Sequence, residues 1–428
     1  MRSFKSMSGC VWGVILLCAS TLGASAPEGP WACHAPPLPA PEGDVVRVST
    51  ESALQSAVAN LVSGRTIVIE PGTYNLSSAL YLNRTVENVT IRGATDSCND
   101  VVLVGRGMSN SSYGNVPHGV WIGKAKRATI ANLTIRDVWF HPIQLDPSGG
   151  AQAPRIYNVR MVDAGEQFVK SSADADGTGV DDGVVEYCTM EYTTTARSNY
   201  TNGVDVHMGA NWVVRRSLFK NIRAPAGQLA GPAVLMWNRS RGSVVEGNVF
   251  LNCQYGIALG LLGSRSDDHQ GGIVRNNFFH RSAGQSGDVG IVLNNSAGTK
   301  VLHNTVVLSG TYSNAIEYRF AATTGVEIRG NLCDSLVRLR DGASGTVAGN
   351  ITNAQAGWFV DAAAGDLHLS DAATGAIDKA SAHPDVVTDF DGESRPSDGA
   401  WDAGADERVQ GGADNVPPAA PTGLRVVK

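Results

Sequence analysis

Between residues 130 and 355 the apolar positions fall into short alternating runs rather than helical stripes. One phrase keeps returning: "IANLTI", "IYNVRM", "VEYCTM", "VRRSLF", "VEGNVF", "VRNNFF", "VLHNTV", "IRGNLC" and "VAGNIT". Counted at its third residue in the first two copies and at its fourth in the rest, it stands at 132, 158, 188, 217, 248, 277, 304, 331 and 350, in steps of 26–31 residues with a last step of 19. Self-similarity at such a period, carried by short β segments, predicts a solenoid of stacked coils. Asn is the commonest residue at the fourth position. That predicts a ladder of side-chain amides bonded to the backbone of neighbouring coils.

A second alternating run follows each phrase after a variable loop: "PIQLD", "QFVKS", "GVDVHM", "AVLMWN", "GIALG", "GIVLN", "AIEYRF" and "LVRLR". Period-two alternation turns Ile, Val and Leu inward and the intervening residues outward. Two strands plus loops per repeat are too much sequence for a hexapeptide left-handed helix. The expected fold is all-β, a right-handed parallel β-helix over residues 45–355. Ahead of the repeats, "VVRVSTESALQSAVANLVSGRTIVIEPGTYNL" reads as a strand, an amphipathic helix at Glu51–Leu61, another strand and a turn. The helix would cap the open end of the coil and shield its core and sheet edge.

The ends of the chain differ from this interior. Residues 1–26 carry basic Arg2 and Lys5, an apolar run and the small residues Ala24-Ser25-Ala26, which together predict a secretory signal peptide and no membrane span. Residues 27–44 form a linker, 356–408 a closing segment, and 409–428 a Pro-rich tail that reads as the start of a truncated fibronectin-type module. In an exported chain Cys33 can pair with Cys98, while Cys188, Cys253 and Cys333 sit in strands as small buried residues.

The 49 glycines, the low charged fraction of 17% and the net charge of −6 fit a turn-rich β protein. They argue against a nucleic-acid partner, which would call for a basic face. A polyanionic polysaccharide needs only a local cationic groove. The expected partner is such a polymer, met by a secreted monomer.

Candidate chemistry lies in the outward column of the second strand, where residues on adjacent rungs stack roughly 4.8 Å apart. Read along the chain, the column runs Gln144 and Asp146, Phe168 and Lys170, Asp205 and His207, Leu235 and Trp237. Ala258 and Gly260, Val292 and Asn294, Glu317 and Arg319, then Arg338 and Arg340 complete it. A cation, a titratable imidazole and an indole in line suit a carbohydrate lying along the helix axis, with Asp205, Trp237 and Asn294 among its contacts. Ala258 and Gly260 would leave it room. Arg215 or Arg319 would neutralise a uronate carboxylate, and His269, in the loop "RSDDHQGG", would close beside the groove.

The opening of the repeats resembles the pectin-lyase-like β-helix proteins. Two stretches, "GEQFVKSS" and "VDVHMG", resemble the chondroitinase-B and alginate-lyase branch of the β-helix polysaccharide lyases. The resemblance implies β-elimination, with Lys170 as the catalytic base and His207 where that branch carries an arginine. It also implies a Ca²⁺ site near Glu166, completed here by Asp205 or by the acidic loop "DADGTGVDDG". A histidine at 207 suits the acid that protonates the departing oxygen. The competing readings are a C5-epimerase using the same groups, a glycoside hydrolase, and a non-catalytic glycan-binding surface protein or adhesin.

Overall fold

The computed structural model describes residues 35–263, 265–396 and 399–408. The signal segment, Cys33 and the Pro-rich tail lie outside these residues. Among the described residues the chain winds into a parallel β-helix built on two long parallel sheets. One sheet carries the recurring phrases. The other, ten-stranded, runs from Leu80–Leu82 through Val169–Ser171 and Val204–His207 to Leu336–Arg340. All eight second-strand runs are strands of that sheet, and their register pairs Gln144 with Lys170, Lys170 with Asp205, and His207 with Trp237. The helix occupies Glu51–Ala59 and is started by Thr50, whose side chain accepts from the Ala53 N–H at 3.2 Å. Its Leu54 and Val58 are buried at the first coils. No helix of the described residues is long and apolar enough to cross a membrane.

Like residues stack in the interior. Phe219, Phe250 and Phe279 form a near-parallel pile with ring centroids 4.8 and 4.3 Å apart. The amide ladder is present, with a one-residue correction to the expected alignment. Strand pairing sets Leu133 and Val159, not Asn132 and Asn158, in line with Cys188 and Ser217. Asn132 and Asn158 occupy the bend itself, at φ 53° and 52°, where later coils place Tyr187 and Arg216. Asn tolerates that left-handed conformation, so the same residue type recurs at two adjacent positions for two different reasons. The continuous ladder runs Ser217, Asn248, Asn277, Asn304, Asn331 and Asn350. In it each backbone N–H donates to the next residue's side-chain oxygen at 2.9–3.1 Å.

Residues 354–396 and 399–405 lie along one flank of the coil. Phe359, Leu367, Phe390 and Ala403 cover the outward apolar residues Leu218, Val249, Phe278, Val307 and Leu332 of five successive rungs. Phe390 stacks on Phe278 at 4.0 Å, and the Ala405 N–H donates to Thr305 Oγ1 at 2.9 Å. The closing segment is thus a strap along the side of the coil. Cys98 is held in a disulfide whose partner is outside the described residues, and Cys188, Cys253 and Cys333 are free and buried.

Asn277 both accepts from Asn248 and donates to Asn304, to Val245 O and to Arg275 O. Asn277→Ala would strand several buried groups, each worth on the order of 1–3 kcal/mol. We expect a loss of about 3 kcal/mol, read as a lowered urea midpoint with an unchanged slope.

Candidate functional site

The register places Lys170 and Asp205 side by side on adjacent rungs of the ten-stranded sheet, both outward and both nearly buried. Lys170 Nζ is 2.6 Å from Asp205 Oδ2 and 2.7 Å from His207 Nε2. His207 Nε2 also lies 3.5 Å from Asp205 Oδ1, and Trp237 Nε1–H donates to that same oxygen at 2.9 Å. The imidazole meets the indole edge-on, with centroids 4.3 Å apart. With its side chain 20% exposed, His207 is the most open member of the Lys170–Asp205–His207 trio. Burial alone would raise the Asp205 pKa. Its contacts with His207 and with the charge of Lys170 outweigh it and hold the carboxyl down at about 2.

This geometry limits the protons. Two cations 2.7 Å apart would repel strongly, so the Lys170–His207 contact holds one positive charge and one lone pair, neutralised by Asp205. The salt bridge to Asp205 favours the charge on Lys170.

The structure does not bring the other expected residues to this point. Arg215 belongs to the first sheet, where it grips Glu186 at 2.7 Å in an outward charge ladder with Arg155. The alternation of "VRRSLF" turns it away from the second sheet. His269 is buried between Ser296 Oγ at 2.9 Å and Ser243 Oγ at 3.1 Å, and burial lowers its pKa to about 3. It is a neutral structural imidazole, fixed by the two hydroxyls of neighbouring rungs. Asn294 is on the sheet but buried, donating to Gly260 O at 3.3 Å. Arg319 pairs with Asp341 at 2.7 Å, four rungs beyond His207. Ala258 leaves no room for a ligand, because Tyr255, Leu261 and Tyr312 pack over Leu235, Ala258 and Val292. Asp268 pins the covering loop by accepting from the Leu261 and Asn238 N–H groups at 2.5 and 2.6 Å. Phe168 turns into the core against Tyr192.

Glu166 lies just before the Lys170 strand, its carboxylate 3.0 Å from Arg197 Nη2 and 3.9 Å from His141 Nε2. Calcium takes six to eight oxygen ligands. Here the oxygens of Glu166 and Asp205 face an arginine, a lysine and an indole N–H, so this pair does not fit a calcium ion. Among the described residues the His, Cys, Asp and Glu donors close enough to share an ion are His368, Asp391 and Asp406, in the strap.

Further groups adjoin the trio on its N-terminal side. Arg197 lies over the Trp139 ring at 3.8 Å, and His118 stacks on His141 with centroids 5.2 Å apart. Burial lowers both histidines, His118 to about 4 and His141 to about 3. Trp121 and Tyr81 extend the outward column beyond Gln144. Their strands "LYL" and "VWI" do show an aromatic between two inward aliphatics. They precede the first recurring phrase, so the period did not point to them.

A family model described as "Right handed beta helix region" matches residues 158–333. The fold is a right-handed β-helix. An alginate lyase from Paenibacillus sp. str. FPU-7 superposes with TM-score 0.50 at 17% identity, over 71% of this chain and 99% of that one. The pectate lyase Pel9A does so with TM-score 0.51 at 12% identity, over 83% and 90%. At such identities the likeness is one of fold. No curated protein matches the sequence.

Asp205→Asn would leave a buried Lys170 charge unpaired, a change that typically costs about 3–5 kcal/mol. Because the folded pKa is depressed, the contribution is present above 3.8 and disappears as pH falls through about 2. The stability gap between wild type and Asp205→Asn should therefore be wide at pH 7 and narrow at pH 2, as read by chemical denaturation.

Proposed function

We propose that the protein is a secreted polysaccharide lyase that cleaves a uronate-containing polymer by β-elimination. The observation that carries this reading is the Lys170–His207 contact of 2.7 Å, which keeps a proton acceptor and a proton donor together beside a buried carboxylate. With the shared proton on His207, neutral Lys170 takes the C5 proton of a bound uronate. The C5 electron pair forms the C4=C5 double bond as the C4–O bond breaks, and His207 protonates the departing oxygen. The centre ends with a charged Lys170 and a neutral His207, the arrangement that Asp205 favours, and one proton transfer resets it. Arg197, placed between Trp139 and Glu166, is the cation assigned to the uronate carboxylate. The role expected of Arg215 or Arg319 passes to it. The fold shared with an alginate lyase and a pectate lyase supports the substrate class.

One observation favours a second reading. Lys170 is capped by Asp205, as a lysine in a purely glycan-binding surface would be.

An ultraviolet assay on alginate, pectate and chondroitin separates the two. The lyase reading expects absorbance growth from the unsaturated product, unaffected by EDTA. Lys170→Ala and His207→Ala should each lower the rate at least about 100-fold. No growth on any of these polymers, with glycan binding retained in both variants, would overturn it in favour of the binding protein.

A further inference from the structure

The outward face of the ten-stranded sheet is asymmetric about Lys170. Towards the C-terminus, the side chains after Trp237 are sealed beneath Tyr255, Leu261 and Tyr312. Beyond them come Glu317, Arg319 and Arg340, which are tied to one another and to Asp341. Towards the N-terminus the column continues as Gln144, Trp121 and Tyr81 in unbroken register. Gln144 is buried and holds Ser172 Oγ at 3.0 Å, whereas Trp121 is half-buried and Tyr81 is 36% exposed. Their rings lie 6.2 Å apart, and His118 braces Trp121 from the side at 5.1 Å.

An outward Tyr–Trp pair one rung apart leaves apolar ring surface in water, which surface strands avoid unless something covers it. The pair is continuous with the Lys170 centre, Trp121 two rungs from Lys170 and so on the order of 10 Å away, and Tyr81 one rung further. The apolar C–H face of a pyranose ring matches an aromatic face, and its hydroxyl rim stays in water.

We propose that Tyr81 and Trp121 form a sugar-stacking shelf that seats the polymer on the N-terminal side of Lys170. This rests on the reading of the Lys170 groove as a polysaccharide site and adds a direction to it. The chain is held mainly from one side, because the C-terminal side offers a sealed floor and self-paired charges. Short substrates that reach only Lys170 and His207 forgo the shelf, so the shelf discriminates by length.

Calorimetry in a Lys170→Ala background, titrated with size-fractionated alginate, pectate and chondroitin oligosaccharides, tests this without turnover. Oligosaccharides of six or more sugars from one of these polymers should bind, and adding Tyr81→Ala or Trp121→Phe should weaken them about 10-fold or more. Disaccharide affinity should not change. Leu262→Ala, an exposed position (58%) in the loop on the C-terminal side, should leave all affinities as they were. Unchanged hexamer affinity in both aromatic variants would overturn the shelf, as would a loss confined to Leu262→Ala. The ultraviolet assay on wild type keeps the two proposals apart. Cleavage with shelf-independent binding sinks only the shelf. Shelf-dependent binding without cleavage sinks only the lyase. Absence of binding by any oligosaccharide overturns the shelf whatever the assay shows.

Discussion

Everything in this molecule depends on stacking in register. A parallel coil sets each residue roughly 4.8 Å from its equivalents above and below, so a column of side chains must be compatible with itself. Inside, that constraint selects like on like. The phenylalanine pile and the asparagine ladder are two answers to it, one apolar and one fully hydrogen-bonded. Asparagine suits the second because its amide carries both donors and an acceptor, so each copy satisfies the next without leaving a buried group unpaired. Outside, the constraint works against like on like wherever charges are involved. Glu186, Arg215, Glu246 and Arg275 alternate in sign along the first sheet for that reason.

The Lys170 centre is the same rule applied once on the other sheet. A lysine on one rung and a histidine on the next would be two repelling cations. Asp205, on the rung it shares with His207, turns them into a neutral trio that keeps one labile proton. The indole of Trp237, donating to the second oxygen, holds the carboxylate in place. The geometry of the centre and its structural charge compensation are therefore not separable here. The carboxylate that makes the cluster stable also decides where its proton rests.

Much of this was legible in the sequence because period and alternation are local properties. The eight second-strand runs, most of their inward and outward faces, and the adjacency of Lys170, Asp205, His207 and Trp237 follow from counting, whereas Phe168, counted outward, precedes its strand and lies in the core. What did not follow depends on loops, whose packing no period describes. The loop pinned by Asp268 seals Ala258, which read as room for a ligand, and two hydroxyls claim His269, which read as closing beside the groove. Arg215 was misplaced for a different reason. A charge read for its chemistry was not held to the sheet its own strand belongs to. The calcium expectation failed because Glu166 gained an arginine from a loop thirty-one residues downstream. Tyr81 and Trp121 were readable as strand aromatics, yet they sit ahead of the repeat that drew the eye.

The strap has a bearing on how the chain reaches this state. Leu218, Val249, Phe278, Val307 and Leu332 acquire their cover from residues made long after them. A chain emerging N-terminus first can wind its coils one upon another, as solenoids do by nearest-neighbour growth, but it carries a bare apolar stripe until the last segment arrives. Once docked, that segment ties five coils into one cooperative block, so an inner rung cannot fray without lifting the strap from its neighbours. Growth by increments thus ends in a single locking step, and the interval before it is when the chain is most exposed to self-association.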